Sequence, residues 1–167
     1  MNSYFEYPSV RSILRYTDKG SAEGPQWIEN PPVDVVEDAV RRVFNNGKIL
    51  DVTIPEGHGL LLRRLTMVSK SGECRFTADL YHEDHRQAFL EWWESKGAPF
   101  RGGSRYGDDY FDDRTVCRDV AVAVALFREV IDVNGLSEMS FSQFLSEWDP
   151  ISMEGRRLVA ESISSRR

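Results

Sequence analysis

Three consecutive segments of alternating apolar and polar residues constrain the fold of this chain most strongly. They read KILDVTI (48–54), LLLRRLTMV (60–68) and CRFTADLY (74–81), and the turn signals PEGHG and SKSG separate them. A period of two is typical of strands, and short connections join antiparallel neighbours. The pattern predicts an antiparallel meander. Leu50, Val52 and Ile54 share one face of the first segment, Leu61, Leu65 and Met67 share one face of the second, and Cys74, Phe76, Ala78 and Leu80 point inward from the third.

Two further segments have helical periodicity. The first, at 33–46, repeats apolar residues every three or four positions, carries acids early and arginines late, and ends at Gly47. The second, at 116–134, has a similar stripe and ends at Asn134 and Gly135. Both are predicted to be helices. Their predicted buried residues are Val36, Val40, Val43, Phe44, Val120, Val124, Phe127 and Ile131.

The remaining segments complete the predicted order of elements. A strand is predicted within 9–16, and the aromatic content of 82–97 favours a strand at 87–93 over a helix. A short helical piece is predicted at 140–148. The fold class is therefore α+β, with an antiparallel meander of four to five strands and two main helices packed on one face. Residues 1–150 are predicted to form a single domain, and 151–167 a C-terminal tail prone to fraying.

Charge and cysteine content narrow the class of protein. The chain has 167 residues, a formal net charge of −6 and two cysteines. An acidic protein is repelled by phosphate backbones and attracted to basic protein surfaces, so nucleic acid is not expected as a partner. The two cysteines, Cys74 and Cys117, indicate a reducing compartment and are predicted to be free thiols. Because no apolar run is long enough to span a membrane and no signal peptide is recognised, we expect a cytoplasmic protein without a membrane partner.

The sequence offers two weak candidates for metal chemistry. His82 and His85 have a spacing of three, which is less diagnostic of a metal site than the i,i+4 pair of a helical zinc motif. The acids of Asp108–Asp113 lack the oxygen spacing of a calcium loop. No nucleophile elbow or phosphate-binding loop is present. We therefore expect no metal, no cofactor and no enzymatic activity. A metal-dependent hydrolase that uses His82, His85 and the 108–113 region is the alternative.

Acidic and aromatic residues are concentrated in residues 82–113. Eight acids, four lysine or arginine residues and seven aromatic residues lie in this window. Aromatic anchors surrounded by charge of one sign are typical of a surface that binds protein. We predict that YGDDYFDDRT (106–115) is the centre of this surface and that Asp113 caps the following helix. The predicted partner-binding residues are Asp108, Asp109, Asp112, Tyr106, Tyr110, Glu91, Trp93 and Glu94.

The chain resembles the immunity proteins encoded beside bacterial polymorphic toxins, including those of contact-dependent growth inhibition. Three stretches carry the resemblance: QWIENPPVDVVEDAVRRVFNNGKILDVTI, LEWWESKG and YFDDRTVCRDVAVAVALFREVIDVNGLS, within residues 26–137. The resemblance implies a cytoplasmic inhibitor that binds and blocks a cognate toxin C-terminal domain, for instance a basic nuclease, without catalysis of its own. It transfers no functional residues. A non-catalytic adaptor subunit of a larger assembly is the other alternative.

Overall fold

The computed structural model describes residues 10–20, 22–55, 61–81 and 88–165. Within these residues the fold is α+β. The strands are β1 (Ile13–Asp18), β2 (Gln26–Glu29), β3 (Lys48–Thr53), β4 (Leu62–Ser69), β5 (Cys74–Leu80), β6 (Ala88–Trp92), β7 (Gly103–Tyr106), β8 (Asp109–Asp112) and β9 (Phe144–Ser146). The helices are α1 (Val33–Asn46), α2 (Val120–Val133), α3 (Glu138–Phe141) and α4 (Pro150–Ser164), with a 3₁₀ turn at Asp113–Thr115.

Seven strands form one antiparallel sheet in the order β2-β1-β3-β4-β5-β6-β9, and β7 pairs with β8 in a separate hairpin. The consecutive neighbours β3, β4, β5 and β6 confirm the predicted meander. The sheet is larger than the predicted four to five strands because β2 and β9 extend its two edges. Both are short, at four and three residues, so neither shows a readable alternation. The helical piece predicted at 140–148 is instead α3 followed by the edge strand β9.

The two predicted main helices, α1 and α2, share one core with the sheet. Phe127 of α2 lies 6.4 Å from Phe76 of β5, measured between ring centroids. α1 has the predicted bounds, whereas α2 begins four residues later than predicted, at Val120, because the Asp119 carboxylate accepts a hydrogen bond from the Ala121 amide and caps it. Six of the eight predicted core residues are buried. Val120 and Ile131 are only partly buried, and Ala123, Leu126 and Val130 are buried on α2.

A register shift in β4 reverses one predicted orientation. Leu61 was predicted to share a face with Leu65 and Met67, but it is exposed, while Leu62 is buried. The pairing of β4 with β5 shifts between Leu62 and Arg64. An extra residue at such a bulge moves the preceding side chains to the opposite face, which the alternation alone does not reveal.

The face of the sheet opposite α1 and α2 carries the β7–β8 hairpin and α4. The prediction of a frayed tail at 151–167 is wrong, because residues 150–164 form α4 and bury Ser152, Gly155 and Val159. Asp149 caps this helix by accepting a hydrogen bond from the Ile151 amide, and Pro150 occupies its first turn. α4 packs against β8, and this contact forms one wall of the candidate site.

Cys74 and Cys117 connect the start of β5 to the segment that leads from the hairpin into α2. Each backbone amide donates to the carbonyl of the other residue, at 2.9 and 2.8 Å. Both thiols are free, as predicted, and both are buried. Burial raises the pKa of the Cys74 thiol, which keeps it protonated at neutral pH. These two backbone hydrogen bonds fix the segment that follows the hairpin to the start of β5.

Candidate binding cleft

A cleft of about 660 Å³ lies between the second face of the sheet, the β7–β8 hairpin and α4. This volume is in the range of clefts that bind small molecules or the side chains of a partner. Among the lining residues are Arg75, Phe89, Glu91 and Trp93 from β5, β6 and the residue after β6, Asp108–Asp112 from the hairpin, and Ser152 and Val159 from α4.

The residues of the hairpin divide between buried and exposed positions. Gly107, with a φ of +62°, occupies the first central position of the two-residue turn between Tyr106 and Asp109, where glycine is favoured. Tyr106 and Asp112 are buried, whereas Asp108 and Asp109 are exposed and Tyr110 is 42% exposed. The turn therefore projects two carboxylates and one phenol ring, and we call Asp108, Asp109 and Tyr110 the hairpin tip.

Asp112 and Arg114 form a buried ion pair at the end of the hairpin. Asp112 Oδ1 accepts hydrogen bonds from the Arg114 amide and Nε, both at 2.9 Å, and Oδ2 accepts one from Nη2 at 2.6 Å. Arg114 Nη1 donates to the carbonyl of Ala98 at 2.8 Å. The hydrogen bond to Asp112 raises the pKa of Arg114 above its usual value, so the guanidinium is charged at neutral pH.

Arg75 joins the sheet to the hairpin. It forms an ion pair with Glu91, and its Nε donates to Thr115 Oγ1 at 3.2 Å. Its guanidinium carbon lies 3.4 Å from the centroid of the Phe111 ring, which is a close cation–π stack. Burial lowers the pKa of Arg75 to about 10, so the guanidinium remains cationic at neutral pH. Its charge is directed at Glu91 and Phe111 rather than at solvent.

Asp113 lies outside the cleft and organises the base of the hairpin. Its Oδ1 accepts hydrogen bonds from Ser104 Oγ at 2.5 Å and from Arg118 Nη2 at 2.6 Å. Burial alone would raise the pKa of Asp113, but the hydrogen bonds from Arg118 and Ser104 and the charges of Arg118 and Arg101 together hold it below its usual value. Asp113 was predicted to cap the following helix, and that prediction is wrong because Asp119 caps α2.

Two buried polar atoms of the cleft residues lack a hydrogen-bond partner among the described residues. They are Nε1 of Trp93 and Oγ of Ser152. These residues are 1% and 3% exposed, respectively. Gly155 lets α4 approach closely here, since a Cβ at this position would lie 2.6 Å from Asp112 Oδ2 and 2.9 Å from Trp93 Cη2. The close approach of α4 thus closes one end of the cleft over Trp93.

The structure brings together only part of the predicted partner-binding set. The hairpin tip is exposed, as the prediction requires, and Glu91 lies in the cleft. Asp112, Tyr106 and Trp93 were predicted to lie on the binding surface and are instead buried, because α4 packs closely against Asp112 and Trp93 and because the Tyr106 ring packs against Phe111 and Arg75.

Glu94 lies outside the cleft lining. Its side chain is 47% exposed and forms a 2.6 Å ion pair with Arg101, while its amide donates to the carbonyl of Arg114. It is a surface residue whose charge is paired with Arg101.

Sequence reasoning missed Arg75, Phe89 and the α4 residues of the cleft. For the α4 residues, the sequence signal was the Asp149–Pro150 dipeptide, which is typical of the first turn of a helix. Arg75 occupies an outward-facing position of an alternating strand, where an arginine usually meets solvent.

The metal-dependent alternative rests on His82, His85 and the acids of residues 108–113. His82 and His85 lie outside the described residues. In the parts of the chain that are described, no three His, Cys, Asp or Glu side chains come together as a metal site would require. No helix in the same ranges combines the length and apolar character needed to cross a bilayer.

Comparisons with known proteins define the class only at the level of fold. No protein-family model matches the chain, and no curated protein matches it. Among solved structures it is similar to the crystal structure of a hypothetical protein from Neisseria gonorrhoeae, with a TM-score of 0.57 and 14% sequence identity. The match covers 74% of this chain and 88% of that chain. At this identity the likeness shows that the two share an α+β fold.

Proposed function

We propose that this chain is a cytoplasmic immunity protein, a non-catalytic inhibitor that binds a basic toxin domain and occludes its active site. The observation that carries the proposal is the hairpin tip. Asp108 is fully exposed, and its contact with Arg105 is a long 3.4 Å ion pair. Asp109 has no ion-pair partner among the described residues, and the next residue, Tyr110, is also exposed. Carboxylates that are not neutralised internally are available to a basic partner.

The rigidity of the hairpin supports the same function. Its base is fixed by the Asp112–Arg114 pair, by Asp113 and by the stack of Arg75 on Phe111. A preorganised tip loses little conformational entropy when it binds, which favours tight association. The resemblance within residues 26–137 is a separate line of support.

The chemistry of a nuclease target explains how such a tip would inhibit. A nuclease cleft is cationic because it binds phosphate, and carboxylates on a projecting turn can occupy the positions of phosphate groups. Long-range attraction between the two surfaces would accelerate association, and burial of Tyr110 in the complex would slow dissociation. Inhibition requires no catalytic group on the inhibitor.

Co-expression tests the proposal. The C-terminal domain of the secreted protein encoded beside this gene is expressed in a bacterial host with and without this chain, and growth is measured. We expect the domain alone to arrest growth and the intact chain to restore it. Asp108→Asn/Asp109→Asn should weaken the rescue. The control variant Asp38→Asn/Asp132→Asn removes the same charge from the exposed faces of α1 and α2 and should rescue fully.

Failure to restore growth, although the chain is expressed and folded, would refute the proposal. So would a gene neighbourhood that encodes no secreted protein with a toxic C-terminal domain.

A further inference from the structure

The charges that line the cleft leave a surplus of negative charge on the hairpin side. Arg75 is neutralised by Glu91, and Arg156 lies beside Glu147, with Nη1 and Oε2 3.9 Å apart. Asp112 is neutralised by Arg114. The carboxylates of Asp108 and Asp109 remain, with only the long contact from Arg105. An occupant of the cleft therefore gains most if it carries a positive charge at the hairpin end.

Two exposed aromatic rings line the same cleft. Phe89 of β6 is 50% exposed and Tyr110 of β8 is 42% exposed. Aromatic faces attract guanidinium and ammonium groups, and they also pack against the methylene stem of a long basic side chain. Rings combined with free carboxylates are the surroundings that a buried cationic side chain requires.

The two unpartnered atoms supply a second and independent indication of a ligand. The Trp93 indole N–H lacks an acceptor, and the Ser152 hydroxyl lacks any partner among the described residues. Leaving buried polar groups unsatisfied is unfavourable, so an occupant that supplies partners gains affinity. Both atoms are closed to solvent in this structure, so a peptide carbonyl or N–H group reaches them only after a small movement of α4.

We propose that the cleft receives an arginine side chain of the partner protein, together with the peptide backbone that carries it. The guanidinium lies at the Asp108 and Asp109 end, its stem packs on Phe89 and Tyr110, and the adjoining backbone reaches towards Trp93 and Ser152. Arginine fits better than lysine because its planar group stacks on rings and bonds carboxylates with several donors. The inference rests on the proposed function, since it specifies how the basic partner is recognised.

A small probe tests the cleft without the partner. The intact chain, labelled with ¹⁵N, is titrated with Nα-acetyl-arginine methylamide, and chemical shifts of the amide and indole N–H groups are followed. We expect saturable shifts confined to the cleft, including the Trp93 indole, with a dissociation constant on the order of 1 mM. Nα-acetyl-citrulline methylamide has the same shape without the charge and should produce no saturable shift.

Two double variants complete the test. Asp108→Asn/Asp109→Asn should weaken binding of the arginine probe by about tenfold, the effect of losing a charge-assisted contact. Asp38→Asn/Asp132→Asn should leave it unchanged. An equal response to citrulline, shifts centred away from the cleft, or no saturation up to the solubility of the probe would overturn the inference.

The outcome is separable from that of the proposed function. Growth rescue without binding of the arginine probe would overturn only the arginine site. Binding of the probe without growth rescue would support a basic-peptide site and refute the immunity function.

Discussion

Asp112 and Arg114 form a bidentate ion pair across two residues, with 2.6 Å between Asp112 Oδ2 and Arg114 Nη2 and 2.9 Å between Oδ1 and Nε. The pair is buried, with side-chain exposures of 4% and 8%. It joins the end of the hairpin to the Ala98 carbonyl, and Gly155 of α4 packs against its carboxylate. One acidic residue of the YGDDYFDDRT segment is thus structural, while its neighbours at the turn are exposed.

The first prediction separates these two kinds of aspartate. Asp112→Asn should lower the free energy of unfolding by about 3 kcal/mol, because it leaves the Arg114 guanidinium buried without a counter-charge. Asp109→Asn, at the exposed turn, should change it by less than about 0.5 kcal/mol. Urea denaturation of both variants measures the difference. Equal stabilities would show that Asp112 is ordinary solvated surface.

The second prediction concerns the contact between α4 and the hairpin. Gly155→Ala should destabilise the protein by about 1–3 kcal/mol, because its Cβ would lie 2.6 Å from Asp112 Oδ2 and 2.9 Å from Trp93 Cη2. At an exposed helix position, Gly→Ala raises the free energy of unfolding by up to about 1 kcal/mol. The sign of the change at Gly155 therefore shows whether α4 packs as closely as described. Gly97→Ala is the matched control, since no atom lies within 4 Å of its added Cβ. A stabilised Gly155→Ala protein would contradict the packing described for α4.

The third prediction is a pH dependence from Asp113. Its pKa in the folded protein lies below the usual value of 3.8, so it contributes stability above the unfolded-state pKa that is lost as the pH falls through the folded-state value. Asp113→Asn should therefore be less stable than the unmodified protein at neutral pH. The difference in free energy of unfolding between the two proteins should shrink below about pH 4.

Urea denaturation at a series of pH values measures this gap. Arg118→Gln removes the partner cation and should show the same trend. A gap that stays constant from neutral to strongly acidic pH would argue against the hydrogen bonds assigned to Asp113.

The central sheet and the main helices could be predicted from sequence because each element carries its own periodic signal. The strands β3, β4 and β5 alternate, and α1 and α2 show apolar stripes. The short edge strands β2 and β9 have no such signal, because partner strands rather than local pattern specify them. α4 has few apolar residues and many charged or small ones, so only its capping residues indicate a helix in the sequence.

The candidate site was predictable only in part for a related reason. The acidic and aromatic composition of 106–113 identified the segment, but burial within it depends on the hairpin register and on α4. Asp108 lies in the turn between Tyr106 and Asp109 and is exposed, whereas Asp112, at the far end of β8, is buried against Arg114 and Gly155 of α4. A cluster of like residues therefore divides into structural and exposed members only once the partner elements are known.

The fourth prediction assigns Tyr110 a role in holding the complex together. Tyr110→Ala should raise the dissociation rate from the toxin domain by about 30-fold, equivalent to roughly 2 kcal/mol for an aromatic hot spot. The association rate should change little, because the ring carries no charge. Surface plasmon resonance with the purified domain measures both rates. Trp27→Ala, at an exposed position on the β2 edge strand, is the control. An unchanged dissociation rate would exclude Tyr110 from the interface.

The most direct test is the association rate between this chain and the basic toxin domain proposed as its partner, measured by stopped flow at several salt concentrations. We predict fast association that slows as salt rises, and a smaller salt dependence for Asp108→Asn/Asp109→Asn. Asp38→Asn/Asp132→Asn should retain the original slope. If the two double variants have the same rates and slopes, or if the purified proteins form no complex at micromolar concentrations, the hairpin tip is not the surface that binds a basic partner.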